Sequence, residues 1–89
     1  MESEINPRLR WQCRRGMLEL DVLLGNFLEE AYLTLSTEDK SLFVKFLDSE
    51  DQDLFEWLMG IKSTNDPEKQ LIARKILDHA RNRHSPNAI

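Results

Sequence analysis

Apolar residues recur at intervals of three and four along almost the whole chain, and that periodicity constrains the fold more tightly than any other feature. Between 17 and 35, Leu20, Leu24, Phe27, Leu28, Ala31 and Leu35 mark one face of an amphipathic helix of about five turns. Ile5, Leu9 and Cys13 form a narrow stripe before it. After it come Leu42, Phe43, Phe46 and Leu47, then Leu54, Phe55, Leu58 and Trp57, then Leu71, Ile72, Ile76 and Ala80. No run of four to eight residues alternates apolar and polar positions with β-branched enrichment, so no strand is expected. The pattern predicts an all-α fold, a compact five-helix bundle in a single domain over 1–89.

The punctuation between these stripes sets the expected boundaries. Asn6-Pro7 reads as a cap followed by proline at the first helical position, and the first helix is expected to run to about Arg15. Gly16 suits the left-handed position just past that helix. Gly25 inside the second helix costs about 1 kcal/mol relative to alanine, which predicts a close helix contact or a local bend there. Ser36 with Asp39 caps the third helix, and Glu38 and Asp39 lie near its positive end. Ser49 and Gln52 fit an S-x-x-Q capping box for the fourth helix, which Gly60 closes. Asp66-Pro67 repeats the cap-then-proline signal for the fifth. Residues 1–5 and 85–89 are expected to be frayed.

A chain of 89 residues has room for one modest core, with a radius of gyration of about 12 Å. It is 40% hydrophobic and 31% charged, enough apolar material to fold. No apolar run approaches the roughly 20 residues needed to cross a bilayer, and MESEINPRLRWQ lacks the apolar centre of a secretory signal. A cytoplasmic protein without membrane insertion is expected. The net charge of −4 is unevenly spread: residues 1–16 carry four Arg against two Glu, 17–66 three Lys against twelve acids, and 67–89 five bases against two acids. Basic ends flank an acidic middle, a pattern that favours partners of opposite sign.

The chemistry-bearing residues do not assemble into a catalytic constellation. Cys13 stands alone, so it forms no internal disulfide and reads as a small buried residue. His79 and His84 are five apart, which does not place two ligands side by side on a helix, and no metal site is expected. Arg8, Arg10, Arg14 and Arg15 with Trp11 make a basic, aromatic surface, but Glu2, Glu4 and the acidic centre repel a polyanion; no nucleic acid is expected. Glu50, Asp51, Asp53 and Glu56 gain from the helix dipole as solvated charges. Trp57 sits among hydrophobic neighbours and reads as core. Trp11, amid arginines, fits either a core edge or an interface anchor.

Two readings of RRGMLELD stay open on physical grounds. As a helix corner, Arg15 and Glu19 are exposed charges at the negative end of one helix and the positive end of the next, with Gly16 turning the chain. As a docking tip, a guanidinium fork and a carboxylate flank a residue without a side chain, so a backbone can enter a narrow cleft and carry both charges with it.

The stretch Arg15-Gly16-Met17-Leu18-Glu19 matches the RGxxE motif of the SdhE family of FAD assembly factors, called succinate dehydrogenase assembly factor 2 in mitochondria. W-x-C-R-R-G-M-x-E-L-D at 11–21, Phe27, L-S at 35–36 and D-x-D-L-F-x-W-L-M at 51–59 also resemble bacterial members. The resemblance implies a five-helix protein that is not an enzyme. It implies binding to the flavoprotein subunit of succinate dehydrogenase, and in bacteria to that of fumarate reductase, to promote covalent attachment of FAD to a histidine of the client. By the family model it holds the client's domains in an arrangement that favours attachment and leaves before the iron–sulfur subunit docks. Carried onto this chain, the partner-binding candidates are Arg15, Gly16, Glu19, Arg14, Trp11, Arg8 and Asp21, with Asp51 and Asp53. No cofactor is expected to be stably bound, because no GxGxxG and no strand to carry one exist; FAD is the client's. A monomer is expected. The alternative implied for bacterial members is an antitoxin that counters a membrane-associated toxin.

Overall fold

The computed structural model describes residues 5–84. It contains five α-helices, α1 (Pro7–Gln12), α2 (Leu18–Glu30), α3 (Thr37–Phe46), α4 (Asp51–Leu58) and α5 (Pro67–His84), with a 3-10 turn at Tyr32–Thr34 and no strand among the described residues. The all-α expectation is met. The expected frayed ends lie outside the described residues, apart from Ile5, which packs half-buried against the core. The radius of gyration is 12.7 Å.

Three of the four expected caps form. Asn6 Oδ1 accepts from Arg8 N at 2.8 Å, Ser36 Oγ from Asp39 N at 3.1 Å, and Asp66 Oδ1 from Glu68 N at 2.9 Å. Each satisfies a helix-start N–H that has no intrahelical partner. The S-x-x-Q box does not form. Glu50, without a side-chain bond, is the N-cap of α4. The Ser49 hydroxyl is buried with no hydrogen-bond partner among the described residues, and Gln52 Nε2 donates to Glu56 Oε2 at 3.0 Å instead.

Two helices end earlier than periodicity predicts. α1 stops at Gln12 rather than about Arg15; the N–H of Cys13 still bonds back to Arg10 O, and then the chain leaves the helix. α2 stops at Glu30 rather than Leu35. The Thr34 hydroxyl donates to Ala31 O at 2.7 Å within the 3-10 turn, a side-chain bond that competes with continued α-helix. Leu35 is then extended, with ψ 156°, as entry to the Ser36 cap requires. Gly25 makes no close helix contact: a Cβ built there meets nothing within 4 Å.

The core is a wedge of Leu20, Leu24, Phe27 and Leu28 from α2, Phe43 and Phe46 from α3 with Leu47, Leu54 from α4, and Ile72 and Ile76 from α5, each almost completely buried. Phe27 and Phe43 lie 5.3 Å apart centre to centre, and Phe46 meets the half-buried Trp57 at 6.0 Å. The expected stripe of α5 holds at Ile72 and Ile76 but not at Leu71. Leu71 is 44% exposed, whereas Ala73 is buried beside Ile72 and Ile76.

An ion cluster ties the end of α2 to α5. Arg83 Nε and Nη2 donate to the two carboxylate oxygens of Glu30, both at 2.8 Å, and His79 Nε2 lies 3.0 Å from Glu30 Oε1. The His79 ring also stands edge-on to Phe27 at 5.6 Å. The Arg83 hydrogen bonds hold the Glu30 carboxyl below its ordinary value; partial desolvation opposes them, and His79 adds to the lowering. A depressed carboxyl stabilises the fold above its unfolded-state value and loses that contribution as pH falls through the folded one. The melting-temperature gap between the parent and Glu30→Gln should therefore be open at neutral pH and close as the pH falls below the ordinary carboxylate value. Thermal melts by circular dichroism check this, and a gap that stays constant over that fall contradicts it.

Candidate functional site

Residues 13–17 form the corner between α1 and α2. Gly16 has φ +83°, in the left-handed region, and a Cβ there would meet nothing within 4 Å. The corner needs glycine for its backbone angle and not for space. Gly16 stands three residues past the C-cap Cys13, so it turns a loop and does not occupy the position next to the helix end that the sequence suggests. Asp21, one turn into α2, reaches back so that Oδ1 accepts from Arg15 N at 2.6 Å and Oδ2 from Gly16 N at 3.3 Å. The loop thus has its amides satisfied by the helix it leads into.

Arg15 is not the exposed helix-end charge of the corner reading. Its side chain is only 15% exposed. Nε donates to Gln12 O at 2.8 Å, Nη1 to Ser49 O at 3.3 Å and Asp51 Oδ1 at 2.9 Å, and Nη2 to Leu47 O. The guanidinium therefore sits at the negative ends of α1 and α3 and pairs with an acid in the first turn of α4. Three helix termini meet on one cation.

What faces outward is the rest of the motif. Gly16 and Glu19 are exposed, and Glu19 has no ion pair or hydrogen bond through its side chain among the described residues. Leu18 is 79% exposed, Val22 49% and Trp11 71%. Trp11 is thus no core residue. Arg14 and Arg8 are exposed as well. Arg14 and Val22 line a groove of about 490 Å³ between α1 and α2 whose floor includes the bare backbone of Gly25, and the Arg10–Glu29 ion pair joins the two helices at its rim. Asp51 is joined to the corner through Arg15. Asp53 is half-buried in α4 and has no described bond to the corner.

Leu18 and Val22 are surface residues that the motif-based candidates omit. The signal is in the pattern: Leu18 is two residues, or about 200°, out of phase with the Leu20–Leu24 stripe, and Val22 follows it at four. Cys13 is buried, and burial pushes its thiol up to about 11, with Arg15 pulling it down and Asp21 up. It stays protonated at neutral pH and offers no nucleophile. Among the described residues no group of three or more His, Cys, Asp or Glu could hold a metal. No helix among them is long and apolar enough to cross a membrane.

Comparison with known proteins agrees with the motif. Residues 7–80 match the family model described as flavinator of succinate dehydrogenase. The chain is 52% identical over 77 residues to the FAD assembly factor SdhE of Pseudomonas putida, covering 86% of this chain and 90% of that protein. It is 49% identical over 86 residues to the SdhE of Shewanella oneidensis, covering 97% and 100%. For the SdhE of Coxiella burnetii the identity is 45% over 75 residues, covering 84% and 92%.

The two ends of the motif should respond differently to truncation. Arg15→Ala leaves several part-buried carbonyls and Asp51 without a partner and should cost about 2–3 kcal/mol, or roughly 8–20 °C in melting temperature. Arg15→Lys supplies one point charge in place of a fork and should recover less than half of that. Glu19→Ala should shift stability by under about 0.5 kcal/mol. Thermal melts of the three variants check this; Arg15→Ala melting with Glu19→Ala would contradict it.

Proposed function

Because this chain belongs to the flavinator of succinate dehydrogenase family, we propose that it is an assembly factor that binds the flavoprotein subunit of succinate dehydrogenase and promotes covalent attachment of FAD to it. The observation that carries this reading is an outward-facing edge of Gly16, Leu18 and Glu19, held in place from behind by Arg15 and Asp21. Gly16 allows the client's surface to approach the backbone. Glu19 offers a carboxylate and Leu18 an apolar anchor beside it. Trp11 and Arg8 extend the contact along α1, and Arg14 extends it within the corner. Arg15, Asp21 and Asp51 act as positioning residues, and Asp53 serves as a helix-start charge. The flavin and the flavoprotein perform the bond-forming step; FAD stays the client's cofactor. A rigid corner favours binding because little conformational entropy is lost when it docks. The fumarate reductase flavoprotein is a second client of the same edge, and the chain acts as a cytoplasmic monomer.

The test is complementation of a strain lacking the protein, read as in-gel flavin fluorescence of the client. Truncating a charge that meets a desolvated partner typically costs about 2–5 kcal/mol of binding, a loss of roughly 30-fold or more. Glu19→Ala should therefore abolish covalent FAD while melting like the parent. Gly16→Arg should lose about 1 kcal/mol of stability and also fail, by obstruction. Arg15→Ala should regain activity at lower growth temperature as its folded fraction recovers, and Glu19→Ala should not. Normal client fluorescence with Glu19→Ala at native expression would remove the corner from the interface.

A further inference from the structure

A second groove of about 660 Å³ lies between the end of α4, the loop 59–66 and one side of α5, and none of its lining residues belongs to the corner. Its apolar floor is made by Trp57, Leu71 and Leu77. Leu71 is 44% exposed although it lies beside the buried Ile72, so α5 keeps an apolar side chain outside the core at this point. Trp57 packs one side on Phe46 at 6.0 Å and carries Lys69 Nζ 5.3 Å from its ring centre.

The rim is cationic in a chain whose net charge is −4. Lys62, Arg74 and Arg81 line it against one acid, Asp78. Lys62 is 3.5 Å from Glu56, and Arg81 is 3.3 Å from Asp78. Both cations are more than half exposed, at 66% and 72%, so these pairs are weak and exchangeable. Arg74 is exposed and has no ion pair or hydrogen bond through its side chain among the described residues. An apolar floor under an unpaired guanidinium fits a ligand with carboxylates spaced around a hydrophobic side chain. A nucleic acid fits less well, because Asp78 interrupts the cationic rim that a phosphate backbone would follow.

We propose that this α4–α5 groove binds an acidic peptide segment that seats an apolar side chain against Trp57 and Leu71 and a carboxylate on Arg74. This goes beyond the flavinylation reading and is tested on the isolated protein, so either can fail alone. The chain has two tryptophans, and a Trp11→Phe background makes the emission of Trp57 a reporter of the groove. The probe is a synthetic peptide of about ten residues, with Asp and Glu around a central Phe-Leu pair, titrated at low salt. A saturable change in Trp57 emission is expected, weakened about tenfold or more by Arg74→Glu and by Arg74→Ala to a smaller degree. Helical circular dichroism confirms that each variant is folded, and amide NMR shifts should be confined to 57–81. The proposal is overturned by no saturable change at millimolar peptide, or by equal affinity of the Arg74 variants. It is equally overturned by equal binding of a lysine-substituted peptide or of a thymidine oligonucleotide, or by shifts centred on 11–22.

Discussion

The guanidinium of Arg15 is the interaction on which the exposed corner between α1 and α2 depends. It donates to carbonyls at the ends of α1 and α3 and to the carboxylate of Asp51 in α4, so residues up to 36 positions away from it in sequence converge on one side chain. Carbonyls at helix ends carry partial negative charge and no intrahelical partner, and a forked cation satisfies several at once. From the other side Asp21 takes the amides of Arg15 and Gly16. The corner is thus clamped by one positive and one negative side chain acting on backbone groups of opposite polarity. Within the RGxxE motif the arginine belongs to the architecture, while the glycine and the glutamate belong to the surface.

That division links packing to recognition. The aromatic contacts among Phe27, Phe43 and Phe46 fix how α2 and α3 meet, and α5 closes over them with Ile72 and Ile76. Glu30, Arg83 and His79 then fasten the far end of α2 to α5. α2 is held at both ends, by the Arg15–Asp21 corner and by the Glu30 cluster, so Leu18, Glu19 and Val22 are displayed on a stiff element. A surface of this kind binds a partner without first having to order itself.

Much of this was legible in the sequence because it is local. Asn6, Ser36 and Asp66 cap the helices their neighbours imply, and the α2 stripe from Leu20 to Leu28 is the core. The RGxxE resemblance, drawn from residues 11–21 and 51–59, agrees with the family that matches 7–80. What escaped depends on distant parts of the chain. Ser49 looks like a cap in its own segment, yet its carbonyl is bound by Arg15 and its hydroxyl has no partner among the described residues. Arg15 looks like a surface charge until α3 and α4 arrive around it. Ile72 and Ile76 face inward as their period implies, but whether Leu71 or Ala73 flanks them in the core depends on how α5 sits against α2 and α3. Leu18 and Val22 were visible as residues out of phase, but only the fold shows that nothing in the described chain covers them.

On the proposed function, Glu19 meets the client directly while Arg15 works from inside. The most direct measurement is isothermal titration of the purified succinate dehydrogenase flavoprotein subunit with the parent and with Glu19→Ala, at a temperature where both are fully folded. An affinity lower by about 30-fold or more for Glu19→Ala, with an unchanged melting curve, is the expected result. Equal affinities would contradict it and place the client's contact elsewhere on the molecule.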